Sequence, residues 1–323
     1  MSFGCRSDGD GPLLLATVPT MSGAFAAATA VHRIASTAPA VHGHDAPAGS
    51  GDRSDDRSDD RSDGRLAAGT TVRYEAEVQP GWDIGGNANG GYLMAIAGRA
   101  MADAVGRPPV TLTAHYLRPA PSGPCTVDVE VVRSGRRFAT ATASLTMASG
   151  ELIRLLGTFG EPTPGGPSLT RESPVELPPY EECEVPPPPT EGPQPAMFDK
   201  LAIRIRPGDE GFRTGRPSGR AEIYGWFAFA RDERDPHEPI DPVALLLVSD
   251  AFPPPVFNTD LPVAWVPTVE LTVHVRGVPA PGPLRCAFRS RFIHDGLLDE
   301  EGEVWDSAGT LVLQSRQIAL APR

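Results

Sequence analysis

The chain has 323 residues, and at about 150 residues per domain this length indicates roughly two domains. Hydrophobic residues make up 40% of the sequence, which is enough to form a sizeable core. The 29 Lys and Arg residues against 41 Asp and Glu give a net charge of −12. This charge disfavours binding to nucleic acids or to anionic membranes.

The four cysteines are widely spaced and form no C-x-x-C pair, which excludes a thiolate zinc site and gives no disulfide framework. No stretch approaches the ~18 consecutive apolar residues of a membrane span. The short apolar run at 12–18 follows two aspartates rather than a positively charged segment, so we expect no export signal. The sequence therefore favours a reduced, cytoplasmic protein.

Residues 1–65 are expected to form a disordered head. Arg-Ser-Asp-Asp occurs at 53–56 and again at 57–60, and Arg-Ser-Asp-Gly follows at 61–64. A charged tract without aromatic residues cannot bury enough surface to offset its ordering entropy. An Ala-rich island at 24–34 predicts one short helix within this head. A start of translation at Met21, just before the island, is a further hypothesis.

An orderly pattern predicts a first folded half over 66–160. Residues 72–78 alternate as a strand does, and a Gly-rich turn at 81–91 leads into a buried helix at 92–104. Turn signals then separate four more predicted strands, at 110–117, 125–132, 138–147 and 151–159.

Residues 161–197 are predicted to be a Pro-rich linker, because twelve of the 36 prolines lie between 161 and 195. That density of missing N–H donors prevents a core element from forming. The second half, 198–323, repeats the order of the first. Its predicted elements are strands at 201–206 and 221–229, a helix near 240–250, and strands at 268–276, 283–293, 297–306 and 311–320.

Short matches relate the two halves. Leu-Thr-Ala-His at 112–115 matches Leu-Thr-Val-His at 271–274, and Gly-x-Leu at 150–152 matches 309–311, both at an offset of 159. Matched motifs in matched order indicate a duplicated α+β domain, each copy with one helix against a curled antiparallel sheet. His115 and His274 occupy the same repeat position on apolar strands, which favours a role as core histidines.

Several catalytic motifs are missing from the sequence. It contains no G-x-S-x-G elbow, no phosphate-binding G-x-x-x-x-G-K-[ST] and no H-E-x-x-H. The glycines at 85–91 have two interpretations, a tight turn into the helix or backbone N–H groups aimed at an anion or a carbonyl oxygen. The only close histidine pair, His42 and His44, lies in the head, so we expect neither a metal nor a cofactor.

The motifs of both halves resemble one known family. In the first half they are Gly-Trp-Asp-Ile at 81–84, Asn-Gly-Gly-Tyr-Leu-Met at 89–94, Leu-Arg-Pro at 117–119 and Ser-Gly-Arg at 134–136. In the second half they are Leu-Val-Ser-Asp-Ala at 247–251, Val-Pro-Thr-Val-Glu at 266–270 and Leu-Val-Leu-Gln-Ser-Arg-Gln at 311–317. In this order, over about residues 66–322, they resemble acyl-CoA thioesterase II-type (TesB-like) proteins. The resemblance implies a double hotdog fold, in which each half wraps a sheet around one long helix.

The resemblance also implies a catalytic set. The family holds its hydrolytic water with an Asp, a Thr and a Gln, and the matching positions are Asp250, Thr268 and Gln317. Asp250 would accept the proton of the water, while Thr268 and Gln317 would position it. Gln317 or backbone N–H groups would face the thioester oxygen. At the repeat offset the first half has a different residue at each of these three positions; its residues there are Gly91, Pro109 and Thr158. One active centre per chain is therefore predicted.

The implied substrate is an acyl-CoA, with its acyl chain in an apolar channel and its phosphates near basic surface residues. The candidate substrate contacts are Gly90, Gly91, Arg118, Arg276 and Arg291. No nucleic-acid or membrane partner is expected, and pairing through exposed sheet edges would give a homo-oligomer.

Three alternatives stay open. A non-catalytic acyl-CoA or lipid-binding hotdog protein would bind its ligand without turnover. The prolines at 253–255, shortly after Asp250, alter the surroundings of the acid and are compatible with this alternative. A scaffold serving only assembly is weakly disfavoured by the retained polar set. An enoyl-CoA hydratase is disfavoured because the only close Asp-before-His pair, Asp235 and His237, lies in a charged, Pro-flanked loop.

Overall fold

The computed structural model of the chain describes residues 23–38, 66–163, 166–183, 185, 195–230 and 239–322. Its helices are α1 (Ala24–Ala28), α2 (Gly90–Val105) and α3 (Ala244–Val248). The strands of the first half are β1 (Val31–Thr37), β2 (Thr71–Val78), β3 (Asp83–Ile84), β4 (Asn87–Ala88), β5 (Pro109–Tyr116), β6 (Gly123–Ser134), β7 (Phe138–Met147) and β8 (Gly150–Gly160). Those of the second half are β9 (Arg204–Ile205), β10 (Glu222–Phe227), β11 (Thr268–Val275), β12 (Leu284–Arg289), β13 (Ile293–His294), β14 (Leu297–Trp305) and β15 (Leu311–Leu320).

One antiparallel sheet of 13 strands runs through both halves, in the order β1-β2-β6-β7-β8-β5-β11-β15-β14-β12-β10-β9, with β13 on β14. The halves join where β5 pairs with β11, and there Thr113 lies opposite Thr272. These two threonines are 159 residues apart, and their hydroxyl oxygens are 2.9 Å apart. Each is therefore the repeat counterpart of the other, and a local two-fold axis passes between them. The register confirms the duplicated α+β fold.

Helix α2 is the core element of the first half, as its apolar sequence predicts. Asn89 caps it by accepting a hydrogen bond from the Tyr92 N–H at 2.9 Å, and Gly106 ends it in the left-handed conformation, with φ of 65°. The sheet curls around this helix, and most of its residues are fully buried. No described helix is long and apolar enough to span a membrane.

Helix α3, the counterpart of α2, is shorter than the predicted 240–250. It covers only Ala244–Val248, although all five of its residues are buried. Asp241 accepts a hydrogen bond from the Ala244 N–H at 2.6 Å at the start of the helix. Three prolines at 253–255 follow the helix and lead into a 3-10 turn at Pro255–Asn258, so the chain cannot continue as an α-helix.

The N-terminal segment differs most from the sequence prediction. The predicted helix at 24–34 is correct only over Ala24–Ala28, because residues 31–37 instead form β1, which pairs with β2. Phe25 is 0% exposed; its ring stacks on Phe229 of the second half at 5.2 Å and makes an edge contact with Trp82 at 5.6 Å. This part of the head therefore belongs to the core. The Arg-Ser-Asp repeats, the His42–His44 pair and Met21 lie outside the described residues.

The Pro-rich segment contains no strand among its described residues, but part of it docks on the second half. The Trp226 indole N–H donates to the Pro178 carbonyl at 2.9 Å. The Arg204 guanidinium lies 4.3 Å from the Tyr180 ring centre and donates to the Cys183 carbonyl at 3.1 Å. These contacts use carbonyl groups that a proline-rich chain leaves free.

Two expectations about the strands are wrong. His115 and His274 are exposed rather than buried, because alternation along β5 and β11 turns Leu112 and Leu271 inward and both histidines outward. The predicted strand 283–293 ends at Arg289, and after a short break the chain returns as β13.

Replacement of Phe25 by Ala should lower the free energy of unfolding by about 3–5 kcal/mol, since it removes a fully buried ring between the two halves. Chemical denaturation followed by circular dichroism measures this loss. The control is Ile34→Ala on β1, where the side chain is 50% exposed and the expected loss is below about 1 kcal/mol. Equal losses in the two variants would show that α1 is not part of the core.

Candidate active site

The two halves meet at the carboxylate of Asp250, two residues after the end of α3. Its Oδ2 atom accepts hydrogen bonds from the Gly91 N–H and from the Asn89 Nδ2 group, both at 2.9 Å. Asn89 Nδ2 also donates to the Asp250 backbone carbonyl at 2.7 Å. The donors belong to the beginning of α2, so the first half holds the acid of the second half. A helix N-terminus carries partial positive charge, which favours a carboxylate there.

Glycine is required at the start of α2 because α3 approaches it closely. A Cβ atom added to Gly91 would lie 2.8 Å from the Leu246 carbonyl oxygen and 2.9 Å from both the Leu247 carbonyl oxygen and Asp250 Cβ. One added to Gly90 would lie 3.0 Å from Asp250 Oδ2. The Gly-rich stretch thus directs N–H groups at an anion, and that anion is the protein's own carboxylate. Contact of these glycines with substrate stays a prediction.

The environment of Asp250 makes it a stronger base than an ordinary carboxylate. Burial raises its pKa to about 6, and the hydrogen bonds from Gly91, Gly90 and Asn89 offset part of this rise. Asp250 is therefore mostly ionised at neutral pH and yet has an affinity for protons close to that of histidine. This is the range in which a general base works well.

Thr268 and Gln317 both face the interior of the second half. Gln317 lies on β15, where it is 6% exposed and opposite Leu271 of β11. A bulge between Thr268 and Glu270 shifts the register, so that Thr268 lies opposite Ala319 and on the same face as Gln317. Bulges of this kind re-aim side chains beside active sites. On the other side of Gln317 lies Glu300 of β14. Burial raises the pKa of Glu300 well above its usual range, and the charge of Asp250 raises it further.

Two buried polar atoms around this site have no hydrogen-bond partner among the described residues: Gln317 Oε1 and the Tyr116 hydroxyl. The edge of the Tyr116 ring lies 2.9 Å from the Cβ position of Gly90, beside Asp250. Burial, with the charges of Asp250 and Glu270, holds the pKa of Tyr116 well above its usual range, so the hydroxyl keeps its proton. An unpaired buried polar group costs about 1–3 kcal/mol, so each of these atoms is expected to take part in a further hydrogen bond.

The counterpart of the site in the first half lacks the polar set. Gly91 replaces Asp250 and Pro109 replaces Thr268, as the repeat offset predicts. The third position was predicted as Thr158, and this is wrong by one residue. Leu112 pairs with Gly157 where Leu271 pairs with Gln317, so the offset on these strands is 317 − 157 = 160. Gly157, rather than Thr158, is therefore the counterpart of Gln317.

The three predicted arginines are all exposed, and they do not form one group. Arg118 donates to the Ser149 carbonyl, and Arg291 pairs with Glu301 at 2.6 Å. Both lie near the end of the sheet that carries Thr268. Arg276 donates to Gln314 at 2.6 Å from the opposite end of β11, eight residues or about 26 Å from Thr268. The structure therefore does not bring Arg276 to the site.

Three residues of the site escaped the sequence analysis. Asn89 was seen only as part of a motif, although Asn before two glycines at a helix start is a typical cap. Tyr116 sits at the end of an ordinary alternating strand, so nothing marks its hydroxyl. Glu300 is hidden in the acidic run at 299–301.

Comparisons with known proteins agree on one family. The profile of the acyl-CoA thioesterase N-terminal domain matches residues 78–160, and that of the C-terminal domain matches residues 180–321. An uncharacterized protein of Mycobacterium tuberculosis strain H37Rv is 29% identical over 271 residues, which is 77% of this chain and 91% of that protein.

Solved structures show the same fold. A candidate thioesterase II from Thermobifida fusca YX is 30% identical, with a TM-score of 0.69 over 80% of this chain and 94% of that one. A hotdog-fold protein of unknown function from Alicyclobacillus acidocaldarius is 21% identical, also with a TM-score of 0.69, over 94% of this chain and 99% of that one. The acyl-CoA thioesterase II TesB2 of Mycobacterium marinum is 20% identical, with a TM-score of 0.57 over 77% and 92% of the two chains.

The variant Asp250→Asn should be more stable than the wild type at pH 8, by about 2–3 kcal/mol, because it removes a charge that burial disfavours. The pKa of Asp250 is raised by folding, so the penalty is absent below about pH 4 and complete above about pH 6. Urea denaturation at pH 4 and pH 8 should show the advantage only at pH 8. A lower stability of the variant at pH 8 would contradict this account, and Asp260→Asn, at an exposed site, is the control.

Proposed function

The chain belongs to the acyl-CoA thioesterase family, and on this premise we propose that it hydrolyses an acyl-CoA thioester to a free acid and CoA with a water activated by Asp250. The observation that carries the proposal is the Asp250 carboxylate, fixed by Gly91 and Asn89 and made basic by burial. Such a group is poised to take a proton near neutral pH.

The geometry of Asp250 supports a role as general base. Its Oδ2 atom accepts the hydrogen bonds from Gly91 and Asn89, and we assign the contact with the water molecule to Oδ1. As the water oxygen bonds to the thioester carbon, its proton passes to Asp250 and negative charge develops on the former carbonyl oxygen. Collapse of this intermediate breaks the C–S bond. The CoA thiolate leaves with little need for protonation and takes up a proton afterwards.

Neutral groups around the carboxylate complete the proposed centre. The Thr268 hydroxyl and the Gln317 amide face the same interior and hold the water and the thioester by hydrogen bonds, which is catalysis by positioning. The Tyr116 hydroxyl retains its proton and has no partner in the part of the chain that the structure describes, so it serves as a further donor toward the developing oxyanion.

CoA phosphates fit best at Arg118 among the three arginines. Among the described residues, Arg118 is bound only to a neutral backbone carbonyl, so its positive charge is not balanced by that contact. Arg291 already pairs with Glu301, and Arg276 lies at the far end of β11. The acyl chain extends along the apolar surface beside α2.

Thiol release from acyl-CoAs of increasing chain length tests the proposal. The wild type should turn over at least one of them, and Asp250→Asn should lower kcat by about 10²–10⁴-fold, because an amide cannot accept the proton of the water. Wild-type kcat/KM should fall about tenfold per pH unit below pH 6, where Asp250 becomes protonated.

Asp260→Asn is the matched control, because it removes an exposed carboxylate elsewhere in the second half. Saturable binding without turnover of any acyl-CoA would show a binding protein instead of an enzyme. Turnover that is unchanged in Asp250→Asn would overturn the assignment of the base.

A further inference from the structure

Because the two halves share one fold, equivalent positions of their sheets can be compared. The first half, which lacks the polar set, shows which residues the fold itself requires at each position. On the inner face of the first half, the cross-strand pairs between β7 and β8 are all apolar or glycine: Ala139–Phe159, Ala141–Gly157, Ala143–Leu155 and Leu145–Ile153. The corresponding pairs between β14 and β15 are Leu298–Ala319, Glu300–Gln317, Gly302–Ser315 and Val304–Leu313. One apolar pair, Ala141–Gly157, has thus been replaced by two long polar side chains, Glu300 and Gln317.

The replacement is unfavourable for folding unless the two side chains satisfy each other. Glu300 is 9% exposed and Gln317 is 6% exposed. Burial raises the pKa of Glu300 well above its usual range, and the charges of Asp250 and Asp299 raise it further. No cation among the described residues opposes this effect. A buried carboxyl group in such surroundings keeps its proton and becomes a hydrogen-bond donor.

Gln317 presents the acceptor that such a donor needs. Its Oε1 atom is buried and lacks a partner among the described residues. Residues directly opposite in an antiparallel pair have Cβ atoms about 4.5–5.5 Å apart and project from the same face, so the ends of two long side chains can meet. Asp299, the neighbour of Glu300, points to the other face, where it is bound to Arg316 at 2.7 Å.

We infer that Glu300 is a positioning residue, which as a neutral carboxylic acid donates its proton to Gln317 Oε1 and so turns the Gln317 NH₂ group toward the reaction centre. The inference rests on the proposed thioesterase function. With Oε1 occupied, the amide can act only as a donor there, which suits the thioester oxygen as it becomes negative. The reversed amide would present an acceptor and repel that charge.

A neutral Glu300 also leaves Asp250 as the only carboxylate that acts on the water. A second ionised carboxylate on the same inner face would oppose the negative charge that develops in the reaction. The other described polar side chains on this face are uncharged; they are Gln317, Ser315 and Thr268.

Two substitutions of Glu300 separate positioning from other roles. Glu300→Gln keeps an N–H donor for Gln317 Oε1, so kcat should stay within about threefold of the wild type. Glu300→Leu fills the same space without a donor, so kcat should fall by about 10–100-fold with little change in KM. If Glu300 were itself the base, Glu300→Gln would lose as much activity as Glu300→Leu. Similar kcat values for Glu300→Leu and the wild type would also overturn the inference.

The double variant Glu300→Leu with Gln317→Ala distinguishes a positioning role of Glu300 from a purely structural one. If Glu300 acts through Gln317, Glu300→Leu should cause no further loss of kcat in the Gln317→Ala background. Multiplicative losses would contradict the inference. The matched control is Glu303→Leu, on the same strand but the opposite face, which should leave kcat unchanged.

Isotope-edited infrared spectroscopy of the full chain tests the protonated state without any substrate. The spectrum at pH 7 should contain the C=O stretch of a carboxylic acid, and this band should disappear in Glu300→Gln. Absence of the band in the wild type would overturn the inference even if the enzyme is active. Presence of the band with no turnover of acyl-CoA would instead refute the proposed function and leave the hydrogen bond intact.

Discussion

The contact between Asp250 and the beginning of α2 constrains the rest of the molecule. Asp250 is 159 residues after Gly91, so the carboxylate binds to its own repeat counterpart across the local two-fold axis. The approach is too close for a side chain on the first-half residue, since a Cβ atom there would lie 2.9 Å from Asp250 Cβ. One copy must therefore carry glycine where the other carries the acid. This steric asymmetry explains why two hotdogs form a single centre.

The site is maintained at a cost in stability that the rest of the core offsets. Burial disfavours the charge of Asp250, and the Tyr116 hydroxyl has no described hydrogen-bond partner. Glu300 and Gln317 occupy positions that are apolar or glycine in the first half. Departures of this kind are typical of functional sites, where optimal packing is exchanged for chemistry. The helix α2, the continuous sheet and the packing of Phe25 between the halves supply the compensating apolar burial.

Most of the long strands, the helix α2 and the duplication could be predicted because they follow from alternation and from motifs repeated at a fixed offset. Positions that depend on the exact register of a strand, or on contacts with the other half, could not be predicted. The repeat offset on β8 is one residue larger than on the preceding strands, so Thr158 was predicted where Gly157 is the true counterpart. Strand β1 was missed because its partner β2 lies beyond the long charged tract. The exposure of His115 depends on which face of β5 turns outward. Asn89, Tyr116 and Glu300 become visible as site residues only when the two halves are placed together.

The central claim is that the first half positions the base of the second half, and Gly91→Ala tests it most directly. The added methyl group would displace Asp250 from its donors, and a shift of about 1 Å at a catalytic group can cost about 10²-fold in rate. The account predicts a fall of about that size in kcat/KM, with a native circular dichroism spectrum. The control, Gly277→Ala, has no atom within 4 Å of the added Cβ and should match the wild type. A folded Gly91→Ala variant with wild-type kcat/KM would contradict the account.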